Sequence, residues 1–130
     1  MLTRLGEPEW TATALVGLGH VAELTGDLDR AASAHHRAWA TNPGHAAALE
    51  GLACVAANRG DAADAARLLG AASYWREKRH RSASRLERLD ADRAEQRARS
   101  LLGDPSFDTE RRLGLDQPDS VIEVLTAVSR

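Results

Sequence analysis

The stretch Leu15-Val16-Gly17-Leu18-Gly19, which closes at Gly26-Asp27, returns 34 residues later as Leu49-Glu50-Gly51-Leu52-Ala53, closing at Gly60-Asp61. With one copy written under the other, Leu15 falls on Leu49, Gly17 on Gly51, Leu18 on Leu52, Gly19 on Ala53, Ala22 on Ala56, Ala31 on Ala65 and Ala38 on Ala72. The matches fall on small and apolar positions and skip the charged ones, which marks one packing geometry used twice. Within each copy the spacing is helical: Leu15, Leu18 and Ala22 stand at i, i+3 and i+7, as do Leu49, Leu52 and Ala56. Each Gly-Asp pair then ends one helix and opens the next, since Gly takes the left-handed conformation that closes a helix and Asp accepts the orphan N–H bonds of a new one. Ala31, Ala34 and Ala38 carry the second helix of the first copy, and Ala65, Leu68 and Ala72 that of the second; Asn42-Pro43 ends the first copy. The unit is an antiparallel helix pair whose small residues let its helices approach closely.

Composition agrees with helices. Of 130 residues, 25 are Ala, six are Val and one is Ile, while aromatics make up 4%. Few β-branched and aromatic residues argue against a sheet. A net charge of −2 with 28% charged residues excludes a disordered polyanion and a globally basic nucleic-acid binder. Cys54 is the single cysteine, so no internal disulfide can form. No apolar run reaches the roughly 18 residues of a membrane span, and the N-terminus lacks a signal-peptide pattern. The expectation is a cytoplasmic, single-domain helical protein, covering residues 1–130, without a membrane association.

At the repeated residues the chain resembles the tetratricopeptide repeat, whose pattern is a large residue, Leu-Gly, a Gly-Asp turn, two alanines seven apart and a closing Pro. Residues 12–45 offer Leu15, Leu18-Gly19, Gly26-Asp27, Ala31, Ala38 and Pro43; residues 46–79 offer Leu49, Leu52-Ala53, Gly60-Asp61, Ala65 and Ala72 without the proline. The chain departs from the pattern where Leu15 and Leu49 stand for Trp, Ala22 and Ala56 for Tyr, and His35 and Leu69 for the second-helix aromatic. The run Ala48–Ala53, then Arg59-Gly60-Asp61, then Ala65–Ala72 is further similar to the C-terminal repeat region of bacterial multidomain signal-transduction ATPases and LuxR-type transcriptional regulators. That family's phosphate loop, GxxxxGK(S/T), is absent, as is an evident DNA-reading helix-turn-helix. The resemblance implies an all-α, tetratricopeptide-type α-solenoid of antiparallel helix pairs with C-terminal capping helices, acting as a scaffold.

The capping helices are expected over residues 85–102, 106–113 and 120–129. Ser84 with Glu87 and Ser120 with Glu123 form S-x-x-E capping boxes. Leu86, Leu89, Ala94, Ala98 and Leu101 supply one apolar stripe, Gly103 with Pro105 ends it, and Val121, Val124, Leu125 and Val128 supply another. At the other end, the first helix is expected to leave part of its apolar face, around Leu15 to Leu24, for an upstream repeat or a second chain, because repeat arrays need neighbours or caps.

Candidate chemistry is sparse. His20, His35, His36, His45 and His80 show no HxxxH or ligand-set spacing, so they read as packing and surface histidines, and no metal or cofactor is expected. Cys54, in register with His20, reads as a small buried thiol, for no orienting acid or oxyanion site accompanies it. No catalytic residue is assigned. Residues 75–103 carry nine basic and five acidic side chains, with Arg76, Lys78, Arg79 and Arg81 within six positions. This basic patch offers a nucleic-acid contact, but a solvated helix end accounts for it better, since cations favour a helix C-terminus. Stacked helix pairs line a concave groove with their first helices, here with Thr13, Val16, His20 and Glu23, then Ala47, Glu50, Cys54 and Asn58. These do not reproduce the Lys, Arg and Asn clamp of peptide-binding members. The sequence therefore reads as a non-enzymatic interaction or oligomerisation module of a transcriptional regulator, holding a protein partner or another copy of itself. The alternative is a small-molecule effector in the helical groove, and a further one is that the C-terminal helices fill that groove.

Overall fold

A computed structural model describes the backbone of residues 2–128 and the side chains of residues 7–125. The described residues form seven α-helices and no strand: α1 (Leu2–Leu24), α2 (Leu28–Thr41), α3 (Ala46–Asn58), α4 (Ala62–Lys78), α5 (Arg85–Leu102), α6 (Asp104–Asp116) and α7 (Pro118–Val128). Among them no helix is long and apolar enough to cross a membrane.

The first four helices make two hairpins, and the repeated Gly-Asp pair turns both in the same way. Gly26 and Gly60 sit at φ 87° and 86°. Asp27 N–H donates to the Ala22 carbonyl at 2.9 Å and Asp61 N–H to the Ala56 carbonyl at 2.8 Å, while the glycine N–H groups reach Glu23 and Ala57. This six-to-one bond around a left-handed glycine satisfies the carbonyls a helix end leaves open. The Asp27 carboxylate also caps α2 by accepting from Arg30 N–H at 3.0 Å, whereas the Asp61 side chain makes no cap bond to α4, contrary to the reading of both pairs as caps. The alanine pairs named by the repeat, Ala31 with Ala65 and Ala38 with Ala72, are all buried.

His35 of α2 shows what the glycines are for. Its ring lies between Gly19 of α1 and Gly51 of α3, and a Cβ at either position would overlap it. The ring is fully buried, and three helices close around it. A second close approach joins α4 to α6, where a Cβ on Gly70 would run into the Arg111 carbonyl and one on Gly114 into the Arg67 carbonyl. Backbone meets backbone there, so neither glycine can carry a side chain without moving a helix. Phe107 of α6 is fully buried, with the Arg99 guanidinium 4.2 Å from its ring centroid.

The C-terminal helices correct several sequence expectations. The Ser84–Glu87 box closes in both directions and opens α5. Its buried face, however, is Ala94 and Ala98 with half-buried Ala91 and Leu102, whereas Leu86, Leu89 and Leu101 are exposed. At about 100° per residue, Leu86 lies about 80° and Leu89 about 140° from Ala94, so these two fall off the alanine face, while Leu101 lies within about 20° of Ala94 and is exposed all the same. Helix α6 starts at Asp104 with Pro105 in its first turn, and α7 starts at Pro118. Both prolines open a helix, where a missing N–H costs nothing. Ser120 therefore lies inside α7 and does not cap it. Val121 and Ile122 are buried there while Val124 is exposed, and the Val128 side chain lies outside the described residues. Helix α1 begins well before the repeat and carries Pro8 within it.

Candidate functional site

The face that the first helices of the hairpins would offer as a groove is occupied by α5, held there by a polar seam. Glu23 of α1, nearly buried, accepts from Asn58 Nδ2 at 2.6 Å, from Arg93 Nη1 of α5 at 3.3 Å, and from the His20 ring at 3.5 Å. The His20 bond, then Arg93 and Asn58, holds the Glu23 carboxyl below the usual glutamate range against the upward pull of burial. The other His20 nitrogen lies 3.3 Å from Asp90 Oδ2 of α5. Cys54 donates its thiol proton to the Asp90 carbonyl at 3.2 Å, and burial pushes that thiol up to about 12. Arg97 Nε reaches the Ala57 carbonyl at 3.0 Å, closing the end of α3.

A second node fixes the start of α5. Glu50 of α3 receives a two-pronged bond from Arg76 of α4, Nε at 2.8 Å and Nη2 at 2.5 Å, and Arg76 Nη2 also reaches Glu87 at 3.1 Å. Burial raises the Glu50 carboxyl even so. Burial also works against the Arg76 charge, but its bonds to Glu50 and Glu87 lift it further above the arginine range. Glu87 thus serves as the capping-box acid and as a counter-ion.

Of the groove residues expected from register, His20, Glu23, Glu50, Cys54 and Asn58 come together along α5 or Arg76. Val16 and Ala47 are buried in a small apolar cluster with Ala12, Leu15, Ala38 and Ala48, and Thr13 is exposed. The four cations of the basic segment are spent separately. Arg76 pairs as above, Lys78 lies over the Tyr74 and Trp75 rings, Arg79 donates to the Pro43 carbonyl at 2.5 Å, and Arg81 pairs with Glu9. Sequence reasoning missed Asp90 and Arg93, since an ion pair between residues 23 and 93 leaves no local pattern. Among the described residues, no group of three or more His, Cys, Asp or Glu is placed to hold a metal ion.

Beside the groove, α1 carries an uncovered surface. Trp10 is 65% exposed, Leu18 61%, Val21 58% and Leu24 78%, and Ala14 and Gly17 are exposed between them. Four of these have counterparts one repeat later: Ala48, Gly51, Leu52 and Val55, identical in type and all buried. The His35 ring of α2 lies on Gly51, whereas nothing lies within 4 Å of a Cβ built on Gly17. One docking face is therefore present twice, covered by α2 on α3 and bare on α1. The Ala14–Ala48 and Val21–Val55 matches were the signal in the sequence that could have shown the whole face.

A cleft of about 730 Å³ lies between α2, α3, α4 and α7, floored by Leu52, Val55, Leu68 and Leu125 and edged by Arg37, Arg59 and Asp61. Compared with known proteins, the chain matches no family model, no curated protein and no solved structure.

Proposed function

We propose that this chain is a non-enzymatic protein-interaction module of the tetratricopeptide type, a short stack of helical hairpins of the kind its sequence resembles in LuxR-type regulators. Its work is to hold a protein partner, or a second copy, within a cytoplasmic regulatory assembly. The observation that carries this reading is the bare docking face: Ala14, Gly17, Leu18 and Val21 repeat the residues with which α3 receives α2, yet meet solvent. Soluble chains rarely leave an apolar strip of that kind without use. The groove supports the reading in a different sense, because α5 fills it and partner contact falls to the outer face of α1. The buried Cys54 thiol, bonded to the Asp90 carbonyl and pushed up to about 12 by burial, supports a surface rather than a reaction centre.

A photo-crosslinking residue at Val21 in cells tests this. The expected product is a covalent adduct with protein that Leu18→Glu abolishes. Recovery of no protein adduct of any kind, self-adduct included, contradicts the proposal. The cleft floored by Leu52, Val55 and Leu68 favours a second reading, an effector-binding role, because its volume lies within the range of small-molecule sites. A metabolite at one hundred times its Kd would add about 2.7 kcal/mol to stability, visible as a thermal shift.

A further inference from the structure

We propose that the occupant of the bare α1 face is a second copy of this chain, its α1 lying antiparallel to the first across a two-fold axis between Gly17 and Leu18. This rests on the interaction-module reading above and names its partner.

Three observations carry it. First, the face lacks charge. From Trp10 to Leu24 the ionisable side chains of α1 are His20 and Glu23, and both are turned into the seam with α5. What meets solvent is Trp10, Thr11, Thr13, Ala14, Gly17, Leu18, Val21 and Leu24. A helix face made to stay in water is polar.

Second, the pattern fits itself. In an antiparallel pair centred between residues 17 and 18, Gly17 stands opposite Leu18, Ala14 opposite Val21, and Trp10 near Leu24 and Thr25. Each central bulky side chain meets a small one, and the two-fold axis makes every such contact twice. A glycine opposite a leucine allows the helices to close until the leucine seats against backbone. The same device already operates inside the molecule, where Gly51 lets the His35 ring of α2 lie against α3.

Third, Trp10 is the kind of anchor that dominates interfaces, a large ring at 65% exposure on the same strip. Fifteen residues of helix extend about 22 Å, so a single helix pair forms an interface toward the small end of the specific range. The dimer should therefore dissociate on dilution.

Sedimentation equilibrium of the whole chain, from low micromolar to near-millimolar concentration, is the test. The wild type is expected to pass from monomer to dimer, and Leu18→Glu to remain a monomer with unchanged helical circular dichroism. Gly17→Cys, at a position with open space for a side chain, should form an intermolecular disulfide under mild oxidation. Arg30→Cys, exposed on α2, should not, and buried Cys54 does not compete. A wild type that stays monomeric throughout overturns the proposal, as does a dimer that survives Leu18→Glu with no Gly17→Cys crosslink. If the monomeric result comes with a Leu18-dependent adduct to a different protein at Val21, the pairing fails and the interaction module stands. If no adduct appears either, both fail.

Discussion

At His35 the packing of three helices and a titratable group meet in one side chain. Neither ring nitrogen has a hydrogen-bond partner among the described residues, and the ring is wedged between two glycines. Burial, reinforced by neighbouring His20, pushes its pKa from the ordinary 6.5 down to about 3. The folded chain thus keeps His35 neutral in a range where the unfolded chain takes up a proton. Between pH 6.5 and 3 the unfolded state binds more protons at this site, so stability falls as pH falls, by about 1.4 kcal/mol per unit. Above pH 6.5 this group contributes no slope. Urea midpoints of wild type and His35→Leu across that range check the point. The variant loses stability from repacking, but its curve should be flatter by the His35 share. Parallel curves would mean that the ring titrates as it would in water. The aromatic position of the repeat pattern was legible as a packing site. That a histidine fills it unpartnered was not, because the two glycines that make room come from different helices.

Helix ends show how much a local pattern can carry. The two Gly-Asp turns were readable because one bond scheme fixes them: left-handed Gly, then an N–H reaching back to the last turn. The end of α4 uses the same scheme without glycine. Arg81 N–H donates to the Arg76 carbonyl at 2.9 Å around His80 at φ 53°, the one non-glycine residue at positive φ among those described. A side chain in that conformation costs about 1 kcal/mol relative to glycine. His80→Gly should accordingly raise the unfolding free energy by up to about 1 kcal/mol, read as a higher urea midpoint at unchanged slope. A lower midpoint would show that the His80 ring earns its strain. The capping box of α5 was equally legible, since Ser84 and Glu87 need only each other. The phase of α5 was not. Leu86, Leu89 and Leu101 outweigh alanine in any apolar count, but Asp90, Arg93 and Arg97 bond to α1 and α3 and so set which side of α5 faces inward. Close approach through Ala94 and Ala98 then follows.

For the whole molecule, the governing feature is one docking face written twice in the sequence and covered once in the fold. The 34-residue register carried that far, since Ala14, Gly17, Leu18 and Val21 match Ala48, Gly51, Leu52 and Val55. It could not say which copy is buried, because burial depends on what packs against each face. Nor could it foresee that α5 fills the groove, which rests on charges far apart in the chain. The same substitution in the two copies is the most direct measurement: chemical denaturation of Leu18→Glu and Leu52→Glu, at concentrations dilute enough for monomers. Leu18→Glu, on the bare face, should stay within about 0.5 kcal/mol of wild type. Leu52→Glu places an unpaired charge between α2 and α3 and should cost more than about 3 kcal/mol. Equal losses in the two variants would contradict a face that is open in one hairpin and closed in the other.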